Sequence, residues 1–257
     1  MDVLDLRESV SAATHGAALI AAIPAIVVLI RRGRADLART LALFAYGFGL
    51  VLCFAASTTC HALVVAGMAS KTALLIDHMA IYFLIAGTYT PIVASLLPRH
   101  HRRPTLMVVW LAAAAGVVLN ILLGPLPAWL ATSFYLAMGW GGLWCYFGMR
   151  PSLSHAQLAR IPLGGVLYTI GALFHVLKHP VLWPGVFEAH ELFHLFVIAG
   201  AVAHFTFILT HVAGVERVMT GKRPGRRGVV IPGPPKPRFL GQVVGNRLVV
   251  RVKRTGA

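Results

Sequence analysis

The chain has 257 residues, of which 58% are hydrophobic and only 12% charged, and its formal net charge is +15. Its mean hydropathy is +0.76. Soluble domains are close to half apolar and a quarter charged, so this composition excludes a soluble globular domain. A helix that crosses a bilayer needs roughly 20 mostly apolar residues, because its backbone amides must be satisfied within the segment. Several such stretches indicate an integral membrane protein.

Hydropathy predicts seven spans, and therefore an all-α membrane protein built as a seven-transmembrane-helix bundle. The predicted spans are residues 10–30, 41–66, 72–97, 105–123, 127–149, 161–178 and 188–213. The first span follows an acidic start and is long, so it is not interpreted as a cleaved signal peptide. The break between the fourth and fifth spans, from Gly124 to Pro127, is very short. A count of five or six spans would need one segment kinked at proline.

The chain changes character after the last predicted span. It divides into a membrane domain, residues 1–213, and a basic Pro/Gly-rich tail, residues 214–257. Two β-prone runs flank Gly245-Asn246 in the tail and predict a hairpin there. The tail is expected either to be mobile or to lie against anionic lipid headgroups, and nucleic acid is not an expected partner.

Acidic residues within the spans are functional candidates, because an aspartate at the centre of a membrane helix costs about 2.5–3.5 kcal/mol. The chain has eight acidic residues in total. Those outside or at the edges of the predicted spans are Asp2, Asp5, Glu8, Asp36, Glu188 and Glu216. Asp77 and Glu191 remain, and they lie at the beginnings of the third and seventh spans.

Histidines are found near the same depth as these two acids. His190 and His194 share one helix face, so both can reach one metal ion. Ser57 and His61 form a similar pair at the end of the second span, which makes His61 the third candidate nitrogen ligand. Because successive spans run in opposite directions, these positions and Asp77 lie near one membrane surface. Three nitrogen ligands with a nearby carboxylate have the composition of an open catalytic zinc site.

Other interpretations of these residues stay open. The histidines interpreted as packing residues are His15, His78, His175 and His204. His204 is ten residues beyond His194, about 15 Å further along a helix and too deep for the same ion. The motif from His190 to His194 also matches the zincin pattern, in which Glu191 would be the general base. Alternatively, Glu191 faces headgroups at the helix N-terminus, where the helix dipole favours a carboxylate.

Several motifs together resemble a known family. The third span contains DHMAIYFLIAGTYTP at residues 77–91. Thr14-His15-Gly16, Ser57-x-x-x-His61 and His190-x-x-x-His194 occur in the first, second and seventh spans, and residues 135–140 read YLAMGW. In sequence and order these segments resemble the hemolysin III family, the bacterial branch of the superfamily of adiponectin and progestin receptors. The resemblance covers residues 8–213 and leaves out the tail.

The resemblance implies a seven-helix bundle that holds one zinc ion through His61, His190 and His194. It also implies that Asp77 and Ser57 lie beside a bound water. Relatives in the superfamily include alkaline ceramidases, which suggests that the chain hydrolyses the amide bond of a membrane lipid. In that mechanism Asp77 accepts a proton from the water and Ser57 donates to the developing oxyanion.

Two other functions compete with hydrolysis. The first is a non-enzymatic membrane receptor or regulator of lipid homeostasis, in which the zinc is structural. The second is a pore-forming cytolysin, which the family name implies, although no segment resembles an amphipathic pore-forming helix.

The distribution of basic residues predicts the orientation in the cell membrane, because Lys and Arg are enriched in cytoplasmic loops. The residues predicted on one side are Arg7, Lys71 and Lys178. The residues predicted on the opposite side are Arg31, Arg32, Arg34, Arg39, Arg99, Arg102, Arg103, Arg150, Arg160, Arg217, Lys222, Arg223, Arg226 and Arg227. With seven spans, this bias predicts a cytoplasmic tail, an external N-terminus and a zinc site that opens toward the exterior.

Reporter fusions at the C-terminus test this orientation. We expect a green fluorescent protein fused there to be fluorescent, because the reporter would fold in the cytoplasm. Alkaline phosphatase fused at the same position should be inactive. An active phosphatase fusion would contradict both the orientation and the outward-facing site.

Overall fold

The computed structural model describes residues 3–213, 240–244 and 247–251, with side chains described from Leu6 to Ala213. The helices are α1 (Val3–Gly33), α2 (Leu37–Val65), α3 (Lys71–Leu96), α4 (Arg99–Leu123), α5 (Ala128–Trp140), α6 (Gly142–Met149), α7 (His155–Leu158), α8 (Arg160–Leu177) and α9 (Ala189–Ile208). Helix α9 continues into a π-helical turn, Leu209–Ala213. Strands β1 (Leu240–Val244) and β2 (Arg247–Arg251) pair in antiparallel register, which confirms the predicted hairpin.

Six segments are long and apolar enough to cross a membrane. They are Leu6–Gly33, Leu37–Val65, Lys71–Leu96, Arg99–Leu123, His155–Leu177 and Ala189–Ala213. The predicted fifth span is present as α5 and α6, which are separated at Gly141. Neither piece alone has the length of a span, but together they cover residues 128–149. The predicted all-α membrane bundle of about seven helices is confirmed.

Gly124 separates α4 from α5, so the fourth and fifth segments are two elements and not one kinked helix. Its φ is 77°, a conformation that costs little only for glycine. Pro125 follows, and Pro127 directly precedes α5. The short break in the sequence is therefore a real chain turn.

Helices α1 to α4 pack in sequence order, α8 packs on α9, and α1 also contacts α9. The closest crossing joins α2 and α3, where glycines let the two backbones approach. A Cβ atom added at Gly49 would lie 2.5 Å from the carbonyl oxygen of Phe83, and one at Gly87 would lie 2.8 Å from that of Ala45. Small residues have this role at helix interfaces in membranes.

The break between α5 and α6 is tied to α3 by one side chain. The hydroxyl of Tyr89 lies 2.6 Å from the carbonyl oxygen of Met138 and 3.1 Å from that of Gly139. Carbonyl groups near a helix break need a donor from the protein, because lipid offers none. Tyr89 supplies that donor and holds the fifth segment against the bundle.

By its internal contacts the chain divides into two units, Met1–Glu216 and Arg217–Ala257. Most of the second unit lies outside the described residues. The domain boundary at residues 213 and 214 stays a prediction.

The close approach of α2 and α3 can be tested by substituting the glycines at their crossing. We expect Gly49→Ala and Gly87→Ala each to lower the midpoint of thermal denaturation in detergent. Alanine is normally better than glycine in a helix by about 1 kcal/mol, but here the methyl group meets backbone, and overpacking costs about 1–3 kcal/mol. Gly139→Ala is the control, since its added Cβ meets no atom within 4 Å. Unchanged midpoints in both crossing variants would contradict the close approach.

Candidate metal centre and adjoining cavity

Three histidines from two helices meet inside the bundle. His61 lies near the end of α2, and His190 and His194 lie in the first turns of α9. One ring nitrogen of each lies within 4.8 Å of the corresponding nitrogens of the other two. His61 and His194 are only 7% and 2% exposed, so the cluster is shielded from solvent. The structure thus brings together the three ligands that the sequence predicts.

The spacing of these nitrogens fits one metal ion. Zinc binds imidazole nitrogen at about 2.0–2.1 Å, which places two ligands of a tetrahedral ion about 3.3 Å apart. The Nε2 atoms of His61 and His190 are 3.3 Å apart. Imidazole ligands suit zinc, copper, iron and nickel. The cluster can therefore bind one metal ion, and the distances do not choose among these metals.

Glu191 stabilises the start of α9, next to the two histidines of that helix. One carboxylate oxygen accepts a 2.8 Å hydrogen bond from the backbone N–H of Glu188, and the other accepts one of 2.8 Å from the hydroxyl of Ser11. Glu191 is completely buried. The expectation that it faces headgroups is therefore wrong. Since both oxygens are already bonded, the geometry also disfavours the zincin interpretation.

Helix α1 places a row of polar side chains against the cluster. Glu8 Oε2 lies 2.6 Å from Nδ1 of His61, and Thr14 Oγ1 lies 3.4 Å from Nδ1 of His194. The ring of His15 stacks on that of His194, with centroids 3.7 Å apart. From the sequence alone, Glu8 is an acid outside or at the edge of the spans and His15 is a packing residue. By their spacing, residues 8, 11 and 15 lie on one helix face. This shared face is the pattern from which the sequence could have identified them as neighbours of the site.

The remaining buried histidines differ in their relation to the cluster. His175 on α8 was interpreted as a packing residue, yet its Nδ1 lies 3.2 Å from Nδ1 of His190. His204 lies 3.1 Å from the carbonyl oxygen of Ile161 through its Nε2 and is not part of the three-histidine group. His175 is therefore a neighbour of the predicted ligands, whereas His204 is separate from them, as its depth predicts.

A cavity of about 250 Å³ adjoins the cluster. Ser57 and Asp77 line it together with His190 and His194. The lining continues along α3 from Asp77 to Ile92, about 20 Å at 1.5 Å per residue. Most of the remaining wall is apolar or aromatic and includes Ile85, Leu136, Trp140, Phe193 and Val197. Ser57 and Asp77 are thus on the cavity wall near the histidines, and their catalytic roles stay predictions.

Overall sequence similarity to known proteins indicates the same family as the motifs. Residues 5–205 match the family described as Haemolysin-III related. The chain is 32% identical to a hemolysin-3 homolog of Bacillus subtilis, over 81% of this chain and 96% of that protein. It is 31% identical to hemolysin-3 of Bacillus cereus, over 80% and 92% of the two chains. It is also 30% identical to the human monocyte to macrophage differentiation factor, over 71% and 76%.

The family match extends from the beginning of α1 into α9 and includes every residue of the histidine cluster and its neighbours on α1 and α8. The chain therefore belongs to the haemolysin-III-related family of membrane proteins.

Proposed function

We propose that this protein is a zinc-dependent membrane hydrolase that cleaves an amide bond in a lipid. The observation that carries the proposal is that two histidines of the cluster, His190 and His194, line a long and mostly apolar cavity that has a carboxylate and a hydroxyl in the same wall. A purely structural zinc site is usually closed by four protein ligands, often cysteines, whereas three histidines leave a position for water. The ligand set therefore favours zinc in a catalytic arrangement.

Each part of the site has a role in this proposal. Zinc, when bound, supplies a Lewis acid that activates water and polarises a carbonyl group. Asp77 accepts the proton released from the water, and Ser57 donates a hydrogen bond to the oxygen that gains negative charge. The apolar wall along α3 and α9 binds the hydrocarbon part of the substrate and keeps bulk water out. The amide bond is then held at the polar end of the cavity.

We also propose an orientation in the membrane, based on the distribution of Lys and Arg in the sequence. In this orientation the basic tail is cytoplasmic and binds anionic headgroups, and the site opens toward the exterior.

Lysis of erythrocytes is the second function to test, because two relatives in Bacillus carry the name hemolysin-3. A receptor or regulator with structural zinc would use the same ligands and is separated from a hydrolase by the activity measurement below.

Metal analysis tests the ligand set. We expect protein purified in detergent to hold about one zinc ion per chain, measured by inductively coupled plasma mass spectrometry. His61→Ala, His190→Ala and His194→Ala should each lower zinc content sharply, because two imidazoles alone bind zinc weakly. His204→Ala is the matched control and should keep its zinc. Full zinc content in all three ligand variants would refute the site.

A second measurement tests the role of Asp77. We expect Asp77→Asn to keep its zinc and to lose hydrolysis of a fluorescent long-chain lipid amide by about 10²–10⁴-fold, the usual contribution of a general base. Asp36→Asn, at the start of α2, is the control and should remain active. An active Asp77→Asn enzyme would exclude this role. Wild-type protein that holds zinc but hydrolyses no long-chain amide would favour the receptor or regulator.

A further inference from the structure

Each histidine of the cluster has a partner at Nδ1. These partners are Glu8 for His61, His175 for His190 and Thr14 for His194, at 2.6, 3.2 and 3.4 Å respectively. The Nε2 atoms of His61 and His190 face each other at 3.3 Å. The rings of His61 and His190 are thus held at Nδ1 while their Nε2 atoms approach each other. Metal-binding histidines are usually oriented in this way by groups outside the ligand set.

The contact from Glu8 is the strongest of the three. A distance of 2.6 Å between an imidazole nitrogen and a carboxylate oxygen is typical of a charge-assisted hydrogen bond. A carboxylate only accepts, so Nδ1 of His61 donates the proton. Nε2 then carries the lone pair that a metal ion requires. The pairing therefore selects the metal-binding tautomer of His61.

Arg7 fixes the carboxylate of Glu8 in place. Its guanidinium lies 3.3 Å from Oε1 of Glu8 and 3.6 Å from Oε2 of Glu188, just before α9. The two oxygens of Glu8 therefore have different partners, Arg7 and His61. The Glu8 and His61 side chains are 12% and 9% exposed, so water competes little for this hydrogen bond. None of the three clustered histidines lies on α1, yet this helix contacts one of them through Glu8.

We propose that Glu8 is a positioning residue of the metal centre, an inference that rests on the proposed zinc site. Its carboxylate holds the His61 ring in the orientation and tautomer that present Nε2 to the ion. Its negative charge also offsets part of the charge of a divalent cation. A carboxylate that served only to join α1 to α2 would affect the stability of the metal-free protein and not its intrinsic affinity for zinc.

Zinc affinity measured on the full chain in detergent, by competition with a chelator, separates these two roles. We expect Glu8→Ala to weaken zinc binding about 10–100-fold, the usual effect of losing such a partner. Glu8→Gln retains an oxygen that can accept from Nδ1 but loses the charge, so its affinity should lie between those of Glu8→Ala and the wild type. Asp36→Asn is the matched control, because it also replaces a carboxylate by an amide, but at the N-terminal cap of α2, and it should leave the affinity unchanged.

Two further measurements distinguish a change in zinc binding from loss of the fold. Thermal denaturation of the metal-free proteins shows whether a variant has lost its fold, and the absorption spectrum of bound Co²⁺ reports a change of ligand geometry in Glu8→Ala. If Glu8→Ala does not fold, the result for Glu8→Gln decides. An unchanged zinc affinity of Glu8→Gln overturns the inference. A weakened zinc affinity at an unchanged denaturation midpoint supports it. Equal affinity in Glu8→Ala and wild type overturns this inference but not the zinc site. Absence of zinc binding in the wild type overturns both.

Discussion

Lipid offers no hydrogen bonds, so a polar side chain inside the membrane must find its partner within the protein. In this chain the partners lie on helices that are far apart in sequence. Ser11 bonds Glu191 and Glu8 bonds His61, which ties α1 to α9 and to α2. These pairings help to fix the rotation of α1, α2 and α9 about their axes, since turning one of these helices would break a hydrogen bond between them. The meeting of the three histidines is a consequence of that constraint.

The same constraint explains why the polar cluster and the apolar cavity adjoin. Along α3 and α9 the cavity wall begins with the ionisable side chains of Asp77 and His190, and beyond them it is mostly apolar, with polar exceptions such as Thr88 and His204. An amphiphilic molecule in this space is favoured in one orientation, because the ionisable side chains are concentrated at the end that holds Asp77 and His190. In the proposed function, substrate orientation is therefore achieved by the gradient of polarity along the cavity and requires few specific contacts.

Much of this architecture could be predicted from the sequence, because hydropathy and helical spacing encode it directly. The spacing of His190 and His194 placed them on one face, and the alternation of spans placed His61 at their depth. The break at Gly141 was not predicted, because the surrounding residues are as apolar as a continuous span, although Gly139, Gly141 and Gly142 weaken the helix there. The contacts of Glu8 and His175 were also missed, because they depend on how helices rotate against one another. For Glu191 the sequence left two alternatives open, a general base or a carboxylate facing headgroups, and it could not predict the burial that Ser11 and the Glu188 backbone make possible.

The pairing of Ser11 with Glu191 has a consequence for biosynthesis. The two residues are separated by 180 positions, and they lie on the first and last helices of the bundle. During translation α1 enters the membrane long before α9 has been synthesised. Until then the polar side chains of α1 lack the partners that α9 supplies. The metal centre is complete only when the last helix has been inserted. A chain that stops before α9 lacks two of the three histidines, so the three-histidine cluster cannot form until the last helix is in place.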